Sequence, residues 1–202
     1  MPLQPSLARV DQLWVFPVKS MSGTSVGTVD VVDDGLVGDR SWAVVDDSGE
    51  TVTAKQEPRL REVVARLVDG ELHVDVPEAA PSLGAEEAAE ALSSWLGRPL
   101  RLEHRGGAGF VDVAPVHLVS TAAITDAAHA EECDSCDIAA PRANVVLELI
   151  TGAGSERDWV GHDLSAGSAR LSVVRVPKHC LGVYADVAAH GTLTVGDEVR
   201  SA

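Results

Sequence analysis

The stretch RVDQLWVFPVKS, residues 9–20, alternates apolar and polar side chains and stops at Pro17-Val18-Lys19-Ser20. Period-two patterning rich in Val, Trp and Phe and closed by a proline is the pattern of a half-buried strand. It recurs outward from there. Residues 26–32 alternate again and end at Asp33-Asp34-Gly35. Residues 41–46 lead into the turn Asp47-Ser48-Gly49 and a predicted return strand at 51–54. Residues 72–76 put Leu72, Val74 and Val76 on one face, and 116–119, 144–150, 169–176, 181–187 and 192–199 also read as strands. One helix is clear, 85–96, with Ala88, Leu92, Trp95 and Leu96 at helical spacing and Gly97 just past its end. A shorter helix through about residue 129 is capped by Ser120 or Thr121. Many short strands with two or three short helices predict a mainly β (α+β) chain that closes into a β-barrel, not a parallel α/β sheet.

With 202 residues, 45% of them apolar, the chain can bury a sizeable core. No apolar run reaches the roughly 18–20 residues that span a bilayer, and no basic segment precedes an apolar one at the start, so a cytoplasmic protein is expected. The net charge of −15 argues against nucleic acid or anionic lipid as a partner. It leaves room for an anionic small molecule wherever a few bases converge. The three cysteines, Cys133, Cys136 and Cys180, make no disulfide framework and suit a reducing compartment.

The candidate chemistry sits at strand ends. Lys19 and Ser20 offer an ammonium and a hydroxyl to a phosphate or carboxylate, or form a solvated turn. Arg40, after Gly38-Asp39, can make a bidentate phosphate contact or pair with Asp39. Arg142 and Asn144 stand at the mouth of the most apolar strand. Asp158 and Trp159 read as structural, a turn acceptor and a core cover. Cys180 follows Lys178 and His179, two bases that favour the thiolate form, which binds metals. Cys133 and Cys136 form a C-x-x-C among acids, read as a loop with reduced thiols rather than as a zinc or redox site. No nucleophile elbow, P-loop, metalloprotease or dinucleotide fingerprint is present.

Taken in order, these segments resemble the MOSC family, the domain named for the C-terminal part of molybdenum cofactor sulfurases. The resemblance is carried by LWVFPVKS (13–20), GLVGDRSW (35–42), TAKQ (53–56), PRL (58–60), VHLVS (116–120), RANVV (142–146), DWVG (158–161), PKHC (177–180) and VGD (195–197). It implies a pyruvate-kinase-insert-like barrel with a MOSC N-terminal β-barrel-like region at 1–104 and a MOSC domain at 105–202 sharing one core. It also implies a molybdenum–pterin cofactor, held through Lys19, Ser20, Arg40, Ser120, Thr121, Arg142, Asn144 and His179, with Cys180 as the molybdenum ligand and catalytic residue. Pyridoxal phosphate binding is a further family-level implication.

The implied activity is reduction of N-hydroxylated small molecules. A separate electron-transfer protein is then the expected partner, because the chain has no flavin, haem or iron–sulfur motif. The chain departs from the family at His179, where arginine is usual, and at Pro141-Arg142-Ala143-Asn144, where F-R-P-N is usual. It also runs straight from Cys180 into Leu181-Gly182-Val183, without the family's longer segment. Two other readings therefore stand beside the enzyme: a non-redox cofactor or sulfur carrier with Cys180 as a persulfide, and a barrel that has lost its cofactor.

Overall fold

The structure, a computed structural model, describes residues 5–106, 109–111, 113–129, 142–178 and 180–202. Cys133, Cys136 and His179 lie outside the described residues. The strands are β1 (Ser6–Val15), β2 (Thr24–Val26), β3 (Thr28–Val32), β4 (Gly35–Leu36), β5 (Trp42–Asp46), β6 (Val64–Val68), β7 (Glu71–Asp75), β8 (Leu100–His104), β9 (Val116–Ser120), β10 (Val145–Leu149), β11 (Asp163–Ala166), β12 (Ala169–Arg175), β13 (Val183–Ala189), β14 (Gly191–Thr194) and β15 (Glu198–Ser201). The helices are α1 (Ala85–Leu96) and α2 (Thr121–His129), with 3-10 helices at Pro58–Glu62 and Glu156–Trp159. The fold is mainly β, as expected. No helix among the described residues is long and apolar enough to cross a membrane.

Two compact units interleave along the chain instead of meeting at one boundary. The first comprises residues 1–14, 25–37 and 113–202, the second 15–24 and 38–112.

The first unit holds a closed seven-stranded barrel in the order β10-β9-β13-β12-β11-β15-β1, with β1 pairing back onto β10. Neighbours are antiparallel except β9 and β10, which are parallel and joined through α2. Closure leaves none of the seven with an open edge. Alternate residues fill the interior: Val116 and Leu118 from β9, Val145 and Leu147 from β10, Leu171 and Val173 from β12, Val183 and Ala185 from β13. In β1 the buried set shifts phase, from Ala8 and Val10 to Leu13, because a bulge between Val10 and Gln12 inserts one residue. All five residues of β9 are buried, since α2 covers its outer face: Ala123 and Ile124 pack on Val119 and Val146. Strands β14, β3 and β4 form a separate small sheet.

The second unit packs α1 and two strand pairs around Met21, Leu60, Val74, Leu92 and their neighbours. Helix α1 buries Ala88, Leu92 and Leu96, one face at four-residue spacing, and Gly97 ends it in the left-handed region as the sequence predicts. The expected return strand at 51–54 is reduced to a single bridge, Val45 to Thr51. The Asp46 carboxylate closes the turn by accepting the N–H groups of Ser48 and Glu50. The chain then folds back at once, with Gln56 Oε1 accepting the Thr53 N–H, and β5 takes β8 as its ladder partner.

The β6–β7 hairpin supplies a pH-dependent contribution. The Arg66 guanidinium, with the Ser82 N–H, holds the Asp75 carboxyl below the usual carboxylate range. A carboxyl depressed on folding stabilises the native state above its unfolded pKa and loses that contribution as pH falls through the folded value. Urea unfolding followed from about pH 5 down to about pH 2.5 is expected to show a shallower acid-side loss in Asp75→Asn than in wild type.

Candidate functional site

Within the second unit the structure brings the two N-terminal motifs side by side. Val18 and Trp42 form a parallel bridge; the Lys19 N–H donates to Trp42 O at 2.8 Å and the Trp42 N–H to Pro17 O at 2.9 Å. The Arg40 N–H donates to Phe16 O at 2.8 Å, and the Phe110 N–H to Arg40 O at 2.9 Å. Asp39 is buried; its Oδ2 pairs with Arg40, the alternative the sequence offered, and its Oδ1 accepts the Phe16 N–H at 2.8 Å, a contact with no sequence signal. The Arg40 guanidinium lies 5.3 Å from the Phe16 ring centroid. Lys19 Nζ donates to Phe110 O at 3.1 Å, and Arg105 stacks 4.4 Å over the Phe110 ring. Two of the predicted cations and Ser20 are thus fixed on one backbone framework, with Phe110 as a hub that no sequence signal announced.

Within the first unit Asn144 is buried and acts as a clamp between the two strands that flank β10. Its Oδ1 accepts the His117 N–H at 3.2 Å and its Nδ2 donates to Trp14 O at 3.3 Å. Its backbone joins the same two residues, donating to His117 O and accepting from the Trp14 N–H. Ser120 Oγ caps α2 by accepting the Ala123 N–H at 3.0 Å, and its hydroxyl proton is left to donate. The Ser120 N–H donates to Glu156 Oε1 at 3.2 Å. Thr121 begins α2 and is half-buried, as are Arg142 and Cys180. Asp158 and Trp159 take the structural roles read from the sequence: Asp158 accepts the Ser155 N–H, and Trp159 is buried.

Cys180 stands three residues before β13, and its surroundings pin the backbone. The Arg157 guanidinium donates to Cys180 O at 3.3 Å, and the His117 Nε2–H to Leu181 O at 2.8 Å. The His117 ring lies 4.9 Å from that of Tyr184. Gly182 has φ 75°, and a Cβ there would sit 2.0 Å from Leu118 O. The short link after the cysteine therefore lies directly on β9.

Six non-glycine described residues adopt left-handed φ: Ser20, Arg40, Asp69, Glu78, Ser82 and Arg142. Three of the six, Ser20, Arg40 and Arg142, belong to the predicted set. Such backbone costs an L-residue about 1–2 kcal/mol and concentrates where a site requires a fixed side-chain direction. No group of three or more His, Cys, Asp or Glu side chains gathers among the described residues.

These features define a closed β-barrel protein with bases anchored on one unit and a half-buried thiol at a strand entrance on the other. Residues 7–99 match the family model of the MOSC N-terminal beta barrel domain. Mitochondrial amidoxime reducing component 2 of Rattus norvegicus is 40% identical over 76 residues, 36% of this chain and 22% of that protein. Mitochondrial amidoxime-reducing component 1 of Mus musculus is 46% identical over 55 residues, 25% of this chain and 16% of that protein. Molybdenum cofactor sulfurase of Homo sapiens is 29% identical over 121 residues, 46% of this chain and 14% of that protein. The chain thus spans less than a quarter of the length of these relatives. The crystal structure of the YUAD protein from Bacillus subtilis shares the fold, with a TM-score of 0.51 at 11% identity, covering 98% of this chain and 97% of that one.

Proposed function

We propose that this chain binds a molybdenum–pterin cofactor and reduces N-hydroxylated small molecules with electrons from a separate carrier protein. The observation that carries the reading is the strained backbone at Ser20, Arg40 and Arg142, three positions singled out as cofactor contacts. The donor set fits such a group. Lys19 and Arg40 are cations suited to a phosphate, and a cysteine thiolate suits a soft metal site. Lys19, Ser20 and Arg40 would hold the phosphate, Ser120 and Thr121 would offer hydroxyl donors, and Arg142 a further cation. His179 would be a further contact. Asn144 would act by holding β9 and β1, since its amide already bonds to His117 and Trp14. Cys180 would ligate molybdenum, which when bound supplies two-electron redox chemistry. In the overall reaction an N–OH group takes up two electrons and two protons, the N–O bond breaks, and N–H and water leave.

A second reading, a carrier of cofactor or sulfur, is favoured by one observation. Only Leu181 and Gly182 separate Cys180 from β13, which leaves little chain to wall a substrate. Turnover of an N-hydroxylated amidine with a reduced viologen as electron source separates the two. The enzyme reading expects molybdenum-dependent amidine formation that is lost in Cys180→Ser and weakened in Lys19→Ala. Molybdenum retained without turnover would favour the carrier.

A further inference from the structure

Glu156 is the most deeply buried ionisable side chain among the described residues, 1% exposed, and no cation among them pairs with it. Its partner is the Ser120 N–H, at the N-terminal end of α2, where the helix dipole favours a carboxylate. The next residue, Arg157, reaches Cys180 O. Successive residues of a 3-10 helix project about 120° apart, while residues three apart eclipse. Glu156 therefore shares the inner face with the buried Trp159, and Arg157 turns to the rim.

The turn that presents them is hydrogen-bonded at both ends. Ser155 and Asp158 cap it reciprocally, with the Arg157 N–H on Ser155 Oγ at 3.2 Å and the Ser155 N–H on Asp158 Oδ2 at 3.0 Å. At its exit the Gly161 N–H donates to Val173 O and the Val173 N–H to His162 O, which zips the turn to β12, the strand that leads to Cys180.

We infer that the 3-10 helix Glu156–Trp159 is the positioning element of the cysteine corner, with Glu156 holding Ser120 and Arg157 holding Cys180. Neither is a catalytic residue; each acts through the residue it holds. The inference rests on the reading of Cys180 as the metal ligand, and it adds two residues that this reading did not include.

The test uses the full chain purified from a molybdenum-cofactor-competent host as wild type, Arg157→Ala, Arg157→Lys and Glu156→Gln. Two readouts are taken: molybdenum per chain, and hydrogen exchange of the Cys180–Gly182 amides. Loss of one hydrogen bond worth about 1 kcal/mol should speed exchange there roughly five- to tenfold in Arg157→Ala, with β12 unchanged. Molybdenum per chain should fall several-fold in the same variant. Arg157→Lys, which keeps a cationic donor, should recover most of both. Glu156→Gln keeps an acceptor for the Ser120 N–H and should fold; its molybdenum content should exceed that of Arg157→Ala. Unchanged exchange in Arg157→Ala overturns the inference whether or not wild type holds molybdenum. Molybdenum absent from wild type, with exchange accelerated as expected, would sink the cofactor reading alone and leave the positioning role standing.

Discussion

Gly182→Ala is expected to destabilise the first unit by about 4 kcal/mol or more, measured by urea unfolding. Two costs add. An alanine held at φ 75° loses about 1–2 kcal/mol to left-handed backbone alone. Its Cβ would also meet Leu118 O at 2.0 Å, far inside van der Waals contact. Leu118 cannot give way, because it is paired to Val145 on one side and to Val183 on the other, so both neighbouring strands must move with it. Overpacking of this kind costs about 1–3 kcal/mol where side chains can shift, and more against a fixed backbone. Gly196→Ala is the control in the same unit. It has φ 97° and no atom within 4 Å of the added Cβ, so it should lose only the backbone part, about 1–2 kcal/mol. Equal losses in the two variants would show that the approach of the Cys180 link to β9 is not tight.

The second large effect is expected at Asp39. Asp39→Ala removes the buried acceptor of the Phe16 N–H and the counter-charge of the half-buried Arg40. A buried N–H left without an acceptor costs about 1–3 kcal/mol, and loss of the ion pair with half-buried Arg40 adds to it. Asp39→Asn keeps the acceptor and loses only the charge, so about 1–2 kcal/mol is expected. Both follow from urea unfolding of the second unit, with Trp42 fluorescence as a reporter. If Asp39→Ala cost no more than Asp39→Asn, the Phe16 hydrogen bond would contribute nothing.

The strand-rich character of the chain was legible because period-two patterning survives in short segments such as residues 9–15 and 169–175. Patterning assigns faces but not partners. That β1 closes the barrel between β15 and β10 follows from pairings almost the whole chain apart, and no local signal encodes them. Strands β2, β4, β6, β8 and β11 escaped detection, and the single strand expected over 192–199 is two, β14 and β15, parted by a turn in which the Asp197 N–H donates to Thr194 O. LRLEH and DLSA are too short or too mixed to alternate clearly, and VARLV follows a 3-10 helix without a turn signal. The predicted return at 51–54 failed because Gln56 folds the chain back before a ladder can extend.

At the candidate site the motif residues could be read but their supports could not. Lys19 and Arg40 stood out as scarce bases at strand ends. The link between them runs through Phe110 and through the Phe16–Asp39 hydrogen bond, which spans 23 residues. Asn144 stood out beside an arginine, yet the groups its amide holds lie 27 and 130 residues away. Glu156 and Arg157 lie in the sequence as ordinary surface charges, and only the 3-10 geometry separates one inward and one outward.

The central claim is that Cys180 is a metal ligand in a molybdenum–pterin protein. The most direct measurement is molybdenum per chain by elemental analysis, for wild type and Cys180→Ser purified side by side from a cofactor-competent host. The account predicts about one molybdenum per wild-type chain and a drop of about tenfold or more in Cys180→Ser, with the urea midpoint unchanged, since a serine hydroxyl is a poor substitute for a soft thiolate. Wild type without molybdenum, or Cys180→Ser retaining as much as wild type, would contradict it.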